Sequence, residues 1–386
     1  MKKRVTILVS APTPYRDPLF ERLARSADYD IQALYCCDHQ PDQGWRLSAP
    51  LYPARFLRNF APAVWHRWQL IGSINPDVRR ELRAYRPDAV IVYGYATATT
   101  LLAILWASKR RIPVLMRSDS NLLDEESKPP LVLAVKRLFM RWLTSRVSGF
   151  LSVGTLNSRY WLRYGANPEK IFLARYAVDN EYFRSQAARY RACREQIREE
   201  NGWRQCFLLL FVGRLAGEKG VGTLIEAVRR ISKVRADIGL LIVGDGPERN
   251  SLEKRAQDLP QVFFLGFHDW NQLPRFYAVA DLLVVPSVRE PWGLVVNEAM
   301  ASGLPVLATR KVGAAQDLII EGESGYLVPE NDAEAMASAI DRACQSEQRL
   351  RAMGQVAQQL IENWNYGATL DGFHQALASC LETQVA

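Results

Sequence analysis

Apolar and polar positions fall into alternating blocks along most of the chain. From Cys206 onward, short apolar runs are each followed by a longer stretch of helical period. FLLLFVGR precedes GVGTLIEAVRRISK, IGLLIVGDG precedes ERNSLEKRAQD, and VFFLGF precedes WNQLPRFYAVA. The series continues with LLVVPS before LVVNEAMASG, PVLATR before AAQDLIIEG, and GYLVP before DAEAMASAIDRAC. An uninterrupted apolar run marks a strand buried on both faces, and the amphipathic helices between such strands cover a parallel sheet. The first half repeats the theme with RVTILVS, DIQALYC, AVIVYGY, PVLMRS and FLSVG. The pattern predicts an α/β chain of two doubly wound, Rossmann-like domains, residues 1–180 and 181–365, with a polar, Arg-rich stretch at about 180–201 holding the linker. Ligands of such sheets sit beyond the carboxyl ends of the strands, and two sheets facing each other would enclose a cleft.

The length of 386 residues fits two domains, and 48% hydrophobic with 23% charged residues excludes disordered, collagen-like and disulfide-stapled chains. The net charge of +8 is uneven: residues 1–180 hold 27 basic and 15 acidic side chains, and residues 181–386 hold 22 and 26. A basic first half points to an anionic partner. No stretch approaches the ~18 apolar residues of a membrane-spanning helix, and the run Val5–Val9 is too short for a leader core. Six cysteines without C-x-x-C spacing and four scattered histidines predict a reduced, cytoplasmic protein with no metal and no cofactor. Asp28-Tyr29-Asp30 spells D-x-D, but in a polar turn ahead of a strand.

The strand FLLLFV runs into Gly213-Arg214, then Gly217-Glu218-Lys219-Gly220. Its glycines permit a tight turn, its two cations can converge on an anion, and a helix starts beside them. This suits a diphosphate, although it lacks the order of a Walker loop; a solvated turn is the plainer alternative. The strand LLVVPS leads to Glu290-Pro291-Trp292-Gly293-Leu294 and, one helical turn further, Glu298. Two carboxylates at one strand end can accept hydrogen bonds from vicinal hydroxyls. Taken singly, Glu298 reads as a helix-surface acid and Glu290 as a partner of the helix dipole.

VGRLAGEKGVGTLIEAV, LLIVGDGP, FLGF and REPWGLVVNEAMASGLPVLAT, in this order over roughly 205–345, resemble the retaining family 4 glycosyltransferases of GT-B fold. Glu290 and Glu298 match that family's E-x7-E element. The resemblance implies that Arg214 and Lys219 bind the donor diphosphate and stabilise the charge that develops as it leaves. It implies that Glu298 holds the ribose, that Glu290 contacts the donor sugar, and that Gly213 and Trp292-Gly293-Leu294 line the phosphate and sugar site. Leu265-Gly266-Phe267 matches the edge that receives the base. Residues 366–386 would cross back to the first domain, which would hold the acceptor.

The first domain departs from the family pattern. Ala11-Pro12-Thr13-Pro14-Tyr15-Arg16 replaces the usual Gly-rich turn that approaches the donor phosphates; Arg16 either substitutes a side-chain contact there or serves the acceptor, and Arg117, after PVLM, is a second acceptor-side candidate. Asp119 is the candidate for orienting the acceptor hydroxyl, with an N-cap or Asx turn as the alternative. Arg and aromatic residues interleave at Arg55, Arg58, Trp65, Arg67 and Trp68, and again at Lys136, Arg137, Phe139, Arg141 and Trp142. In the second group, Arg137 and Arg141 share an arc opposite Leu131, Val135, Phe139 and Trp142. The plainer reading is a helix packed by its apolar face; the other is attachment to anionic lipid at the inner membrane face. No nucleic-acid motif is present.

The resulting expectation is a hexosyltransferase that moves sugar from a UDP- or GDP-sugar to a glycan or lipid-linked acceptor in cell-surface polysaccharide or glycolipid synthesis. A silent nucleotide-sugar-binding protein and a glycoside hydrolase, which also uses paired carboxylates, are the alternatives.

Overall fold

The computed structural model describes residues 2–38, 49–61, 72–125, 128–203 and 207–382. Two compact units form, Met1–Tyr176 with Tyr366–Ala386, and Ala177–Asn365. The first contains β1 (Lys3–Val9), α1 (Asp17–Ala24), β2 (Tyr29–Tyr35), β3 (Ala54–Phe56), α2 (Val78–Tyr85) and β4 (Ala89–Tyr93). It continues through α3 (Ala98–Ser108), β5 (Val114–Ser118), α4 (Pro130–Thr144), β6 (Gly149–Ser152), α5 (Thr155–Arg163) and β7 (Ile171–Leu173). The strands form one parallel sheet in the order β3-β2-β1-β4-β5-β6-β7. β1 lies inside the sheet and is covered on both sides, which is why Val5 to Val9 are all buried and do not alternate.

The second unit opens with α6 (Asn180–Arg191) and α7 (Arg194–Glu200), then β8 (Phe207–Val212), α8 (Val221–Ile231), β9 (Ile238–Val243), α9 (Arg249–Arg255) and β10 (Val262–Gly266). After α10 (Leu273–Val279) come β11 (Leu282–Val285), α11 (Leu294–Ala301), β12 (Val306–Thr309), α12 (Ala315–Leu318) and β13 (Gly325–Val328). Helices α13 (Ala333–Cys344) and α14 (Glu347–Ile361) close this unit, and α15 (Tyr366–Glu382) returns to the first. The sheet order is β10-β9-β8-β11-β12-β13, again parallel throughout.

Local contacts explain where the chain changes units. The Asn180 side-chain amide donates to the carbonyls of Ile361 at 2.9 Å and Trp364 at 3.2 Å, tying the start of α6 to the end of the second unit. The division therefore falls at Tyr176, ahead of Asn180. On the return, Thr369 Oγ1 donates to the Arg175 carbonyl at 2.7 Å. Gly372 lets α15 lie directly on the backbone past β7, where a Cβ would come within 2.8 Å of Ala174 Cα.

Helix α4 is turned differently from its expected packing. Leu131 and Val135 face outward, while Met140 and Leu143 are its buried residues. In the first two turns of α4 only Leu133 and Lys136 are half-buried, and its fully buried residues, Met140 and Leu143, come later. The expected apolar arc is split: Phe139 and Trp142 pack against the core, whereas Leu131 and Val135 stay exposed. Of the first Arg-aromatic group, Arg55 pairs with Glu81 at 3.0 Å and Arg58 lies 5.7 Å over Phe60, whereas Trp65, Arg67 and Trp68 lie outside the described residues. Among the described residues, no helix is long and apolar enough to cross a membrane.

Candidate donor site

β8 and β11 are neighbours although the strands that follow each run to opposite sides of the sheet. Their carboxyl ends flank a topological switch point, where open α/β sheets bind ligands. Two loops are stitched together there. The Glu218 carbonyl accepts from the N–H groups of Val288 at 2.9 Å and Arg289 at 3.3 Å. Lys219 Nζ forms an ion pair with Glu290 Oε2, the two side chains being 23% and 14% exposed. Two of the predicted site residues, Lys219 and Glu290, are thus brought into direct contact. Arg214 is exposed at the start of the same loop, just after Gly213.

Glycines set this geometry. Gly220 has φ of 66° and caps α8, and a Cβ there would collide with the Pro286 carbonyl oxygen after β11. Gly293 has φ of 93° and caps α11, and a Cβ there would lie 3.1 Å from Glu290 Cγ and 3.2 Å from Val312 Cγ1. Neither helix start has a side-chain cap, which leaves the first N–H groups of α8 and α11 able to serve an anion. Gly220→Ala should cost about 1–2 kcal/mol for the left-handed backbone alone, before the collision is relieved. Urea denaturation reads this cost directly, and an unchanged midpoint would refute the close approach.

A second set of contacts straps the Glu290 loop to the segment after β12. Glu290 N–H donates to the Lys311 carbonyl at 3.2 Å, Gly313 N–H to the Glu290 carbonyl at 2.9 Å, and Ala314 N–H to the Trp292 carbonyl at 2.8 Å. Trp292 is 4% exposed and stacks on Trp364 with centroids 5.1 Å apart. Its Nε1 donates to Asn297 Oδ1 at 2.9 Å. Leu294 is the first residue of α11.

Glu298 is fully buried one turn into α11, and its Oε2 accepts from the Tyr277 hydroxyl at 2.5 Å. The surface-acid alternative is therefore removed. Phe267 lies just past β10, the edge strand, and is 46% exposed. Tyr277 and Asn297, which fix Glu298 and Trp292, were not singled out from sequence. Asn297 carried a signal as the one amide in LVVNEAMA, whereas Tyr277 sits in an ordinary amphipathic helix.

The first unit has its own switch point between β1 and β4. The Arg16 guanidinium lies 5.3 Å over the Tyr93 ring there. Arg16 Nε and Nη1, the Tyr93 hydroxyl and Ser118 Oγ are buried without hydrogen-bond partners among the described residues. Burial opposes charge on Arg16, but Tyr176, Tyr93 and Asp119 outweigh it and hold the guanidinium pKa above its ordinary value. Burial pushes the Tyr93 hydroxyl up to about 12. Asp119 is exposed after β5. Arg117 is instead a brace, 4% exposed, with Nη1 donating to the Ala174 carbonyl at 2.7 Å and the guanidinium 5.4 Å from the Phe373 ring. Asp28 and Asp30 sit at the amino end of β2, the edge opposite these groups.

The chain matches the family model "Glycosyl transferases group 1" over residues 194–360 and "Glycosyl transferase 4-like domain" over residues 4–177. It is 27% identical over 326 residues to sulfoquinovosyl transferase SQD2 of Arabidopsis thaliana, covering 82% of this chain and 62% of that protein. It is 36% identical over 174 residues to the lipopolysaccharide core biosynthesis glycosyltransferase LpsE of Rhizobium meliloti, covering 45% of this chain and 50% of that protein. The chain thus spans less than two thirds of the length of either relative. In fold it is similar to Anabaena HepE in complex with UDP and glucose, with TM-score 0.73 at 18% identity over 98% of this chain and 100% of that one. It is also similar to sucrose-phosphate synthase from Thermosynechococcus elongatus, with TM-score 0.75 at 20% identity over 99% of this chain and 100% of that one. With one model over each unit, the chain belongs to the group 1, family 4-type glycosyltransferases and has their GT-B fold.

Proposed function

We propose that the protein transfers a hexosyl group from a UDP- or GDP-sugar to a hydroxyl of a glycan or lipid-linked acceptor, with retention at the anomeric carbon. The observation carrying this reading is the Lys219–Glu290 pair at the β8/β11 switch point, between two helix starts without side-chain caps. Before a donor arrives, the charge of Lys219 is balanced by Glu290. A diphosphate would take over Lys219 and add Arg214 and the helix N–H groups, leaving Glu290 for the hydroxyls of the sugar. The exchange is favoured because Lys219 keeps an anionic partner throughout, and charge-assisted bonds to phosphate are roughly twice as strong as neutral ones.

The same groups stabilise the leaving diphosphate, the part a divalent ion plays in other transferases. Turnover should accordingly survive EDTA, and its loss would contradict fixed-charge catalysis. Reaction on the face of the departing diphosphate, within an ion-pair-like complex, requires no protein nucleophile, so Glu290 binds rather than attacks. Gly213, Trp292, Gly293 and Leu294 shape the phosphate and sugar pocket, and Phe267 offers its ring to the base.

On the acceptor side, the unpartnered polar groups of Arg16, Tyr93 and Ser118 suit a polar acceptor group, and Asp119 orients the attacking hydroxyl. Arg117 acts by positioning. A role in cell-surface polysaccharide or glycolipid synthesis is supported by relatives named for sulfoquinovosyl transfer and lipopolysaccharide core biosynthesis. A thermal-shift panel of UDP, GDP and ADP tests donor recognition. A bound nucleotide at a hundred times its Kd adds about 2.7 kcal/mol of stability. UDP or GDP should raise the melting temperature, and no response to any of the three would remove the donor site.

A further inference from the structure

The face of α4 that looks away from the core carries a run of large apolar side chains. Leu131, Val132, Val135 and Leu138 are 76%, 50%, 61% and 71% exposed. Helical spacing puts Val135, Leu138 and Trp142 on the same side as Leu131. Arg137 and Arg141 are exposed along one flank of that stripe. Phe139 and Trp142 stack with centroids 5.7 Å apart where the helix meets the core. Apolar side chains exposed singly are ordinary, but a continuous stripe along two turns of one helix marks a contact surface.

Charge selects the occupant. From Lys128 to Pro168 the sequence holds seven Lys and Arg and no Asp or Glu. Lys136 points inward, paired with Glu125 at 2.5 Å and lying 4.9 Å over the Tyr160 ring. The Tyr164 hydroxyl binds the same Glu125 carboxylate at 2.6 Å, so that acid is spent inside the unit. A second copy docked with its α4 antiparallel through the same face would set the Arg137 and Arg141 flank against its own counterpart. An anionic lipid surface accommodates both features, with apolar side chains entering the headgroup–acyl boundary and guanidinium groups meeting lipid phosphates.

We propose that α4 is a membrane-docking helix, lying in the plane of an anionic lipid surface with Leu131, Val135 and Leu138 inserted and Arg137 and Arg141 on the headgroups. The assignment stands on α4 alone and is independent of the donor chemistry.

The test uses the full chain pelleted with vesicles of phosphatidylcholine, or of phosphatidylcholine mixed with phosphatidylglycerol. Wild-type protein is expected to pellet with the mixed vesicles, to remain in solution with pure phosphatidylcholine, and to be released as salt shortens the Debye length from about 10 Å at 0.1 M to about 3 Å at 1 M. Leu131→Gln/Val135→Gln/Leu138→Gln and, separately, Arg137→Glu/Arg141→Glu should each lower partitioning at least about ten-fold. Stabilisation by UDP should stay unchanged in both, because the altered side chains are exposed. Failure of the wild type to bind mixed vesicles overturns the assignment, as does undiminished binding by both variants. A dimer that dissolves in the glutamine variant, without any vesicle binding, gives the face to a second copy instead. Intact, α4-dependent vesicle binding without UDP stabilisation supports the helix assignment and counts only against the donor site.

Discussion

Replacing Lys219 with alanine is expected to lower donor turnover by about a hundred- to a thousand-fold, the loss seen when one preorganised charge-stabilising donor is removed from an active site. A merely structural role is told apart by the folding midpoint. The Lys219–Glu290 pair is largely buried, so removing one partner should lower stability, whereas loss of charge at the diphosphate lowers the turnover of enzyme that is still folded. Measuring kcat and KM separately adds a second discriminator. Charge supplied to the departing diphosphate appears in kcat, whereas a contact made equally in ground and transition states appears in KM alone. Arg214→Ala should act in the same direction, and a double variant should not restore what either single one loses.

Glu298 offers the second large effect. A carboxylate with no exposed surface is a costly occupant of a helix interior unless it is bonded, and here Tyr277 bonds one oxygen at 2.5 Å. Glu298→Ala removes that acceptor, strands a buried hydroxyl at about 1–3 kcal/mol and leaves a cavity, so it should reduce both stability and donor use. Glu298→Gln separates the two. Glutamine keeps the volume and can still accept from Tyr277, so the folding midpoint should hold, while loss of the charged acceptor should weaken UDP binding at least about ten-fold. Tyr277→Phe should weaken it less, by freeing the carboxylate to turn. Wild-type UDP affinity in Glu298→Gln would reassign the residue to packing.

Much of the architecture was readable because buried parallel strands leave apolar runs that do not alternate, as in Val5–Val9 and Phe207–Phe211. The loops after β8 and β11 were readable because glycines and charges cluster where strands end. Sequence could not show that Lys219 pairs with Glu290, since the two residues meet only through the adjacency of β8 and β11. It could not show the enclosure of Glu298 by Tyr277, which comes from a helix that looks ordinary. Arg117 looked like a ligand-binding cation because it follows a strand, but the Ala174 carbonyl takes its guanidinium. For α4, periodicity grouped Leu131 and Val135 with Phe139 and Trp142, but only the latter two pack on the core.

Transfer with retention from a nucleotide sugar is tested most directly by proton NMR of a running reaction. UDP-glucose or GDP-mannose is supplied with lipid-linked and lipopolysaccharide-core acceptors, and the anomeric signal of the first product is read from its coupling constant or chemical shift. An α-linked product formed from the α-linked donor, as nucleotide sugar disappears and free nucleoside diphosphate accumulates, is the expected result. A β-linked first product, or cleavage of nucleotide-free glycosides with the donor untouched, would contradict it.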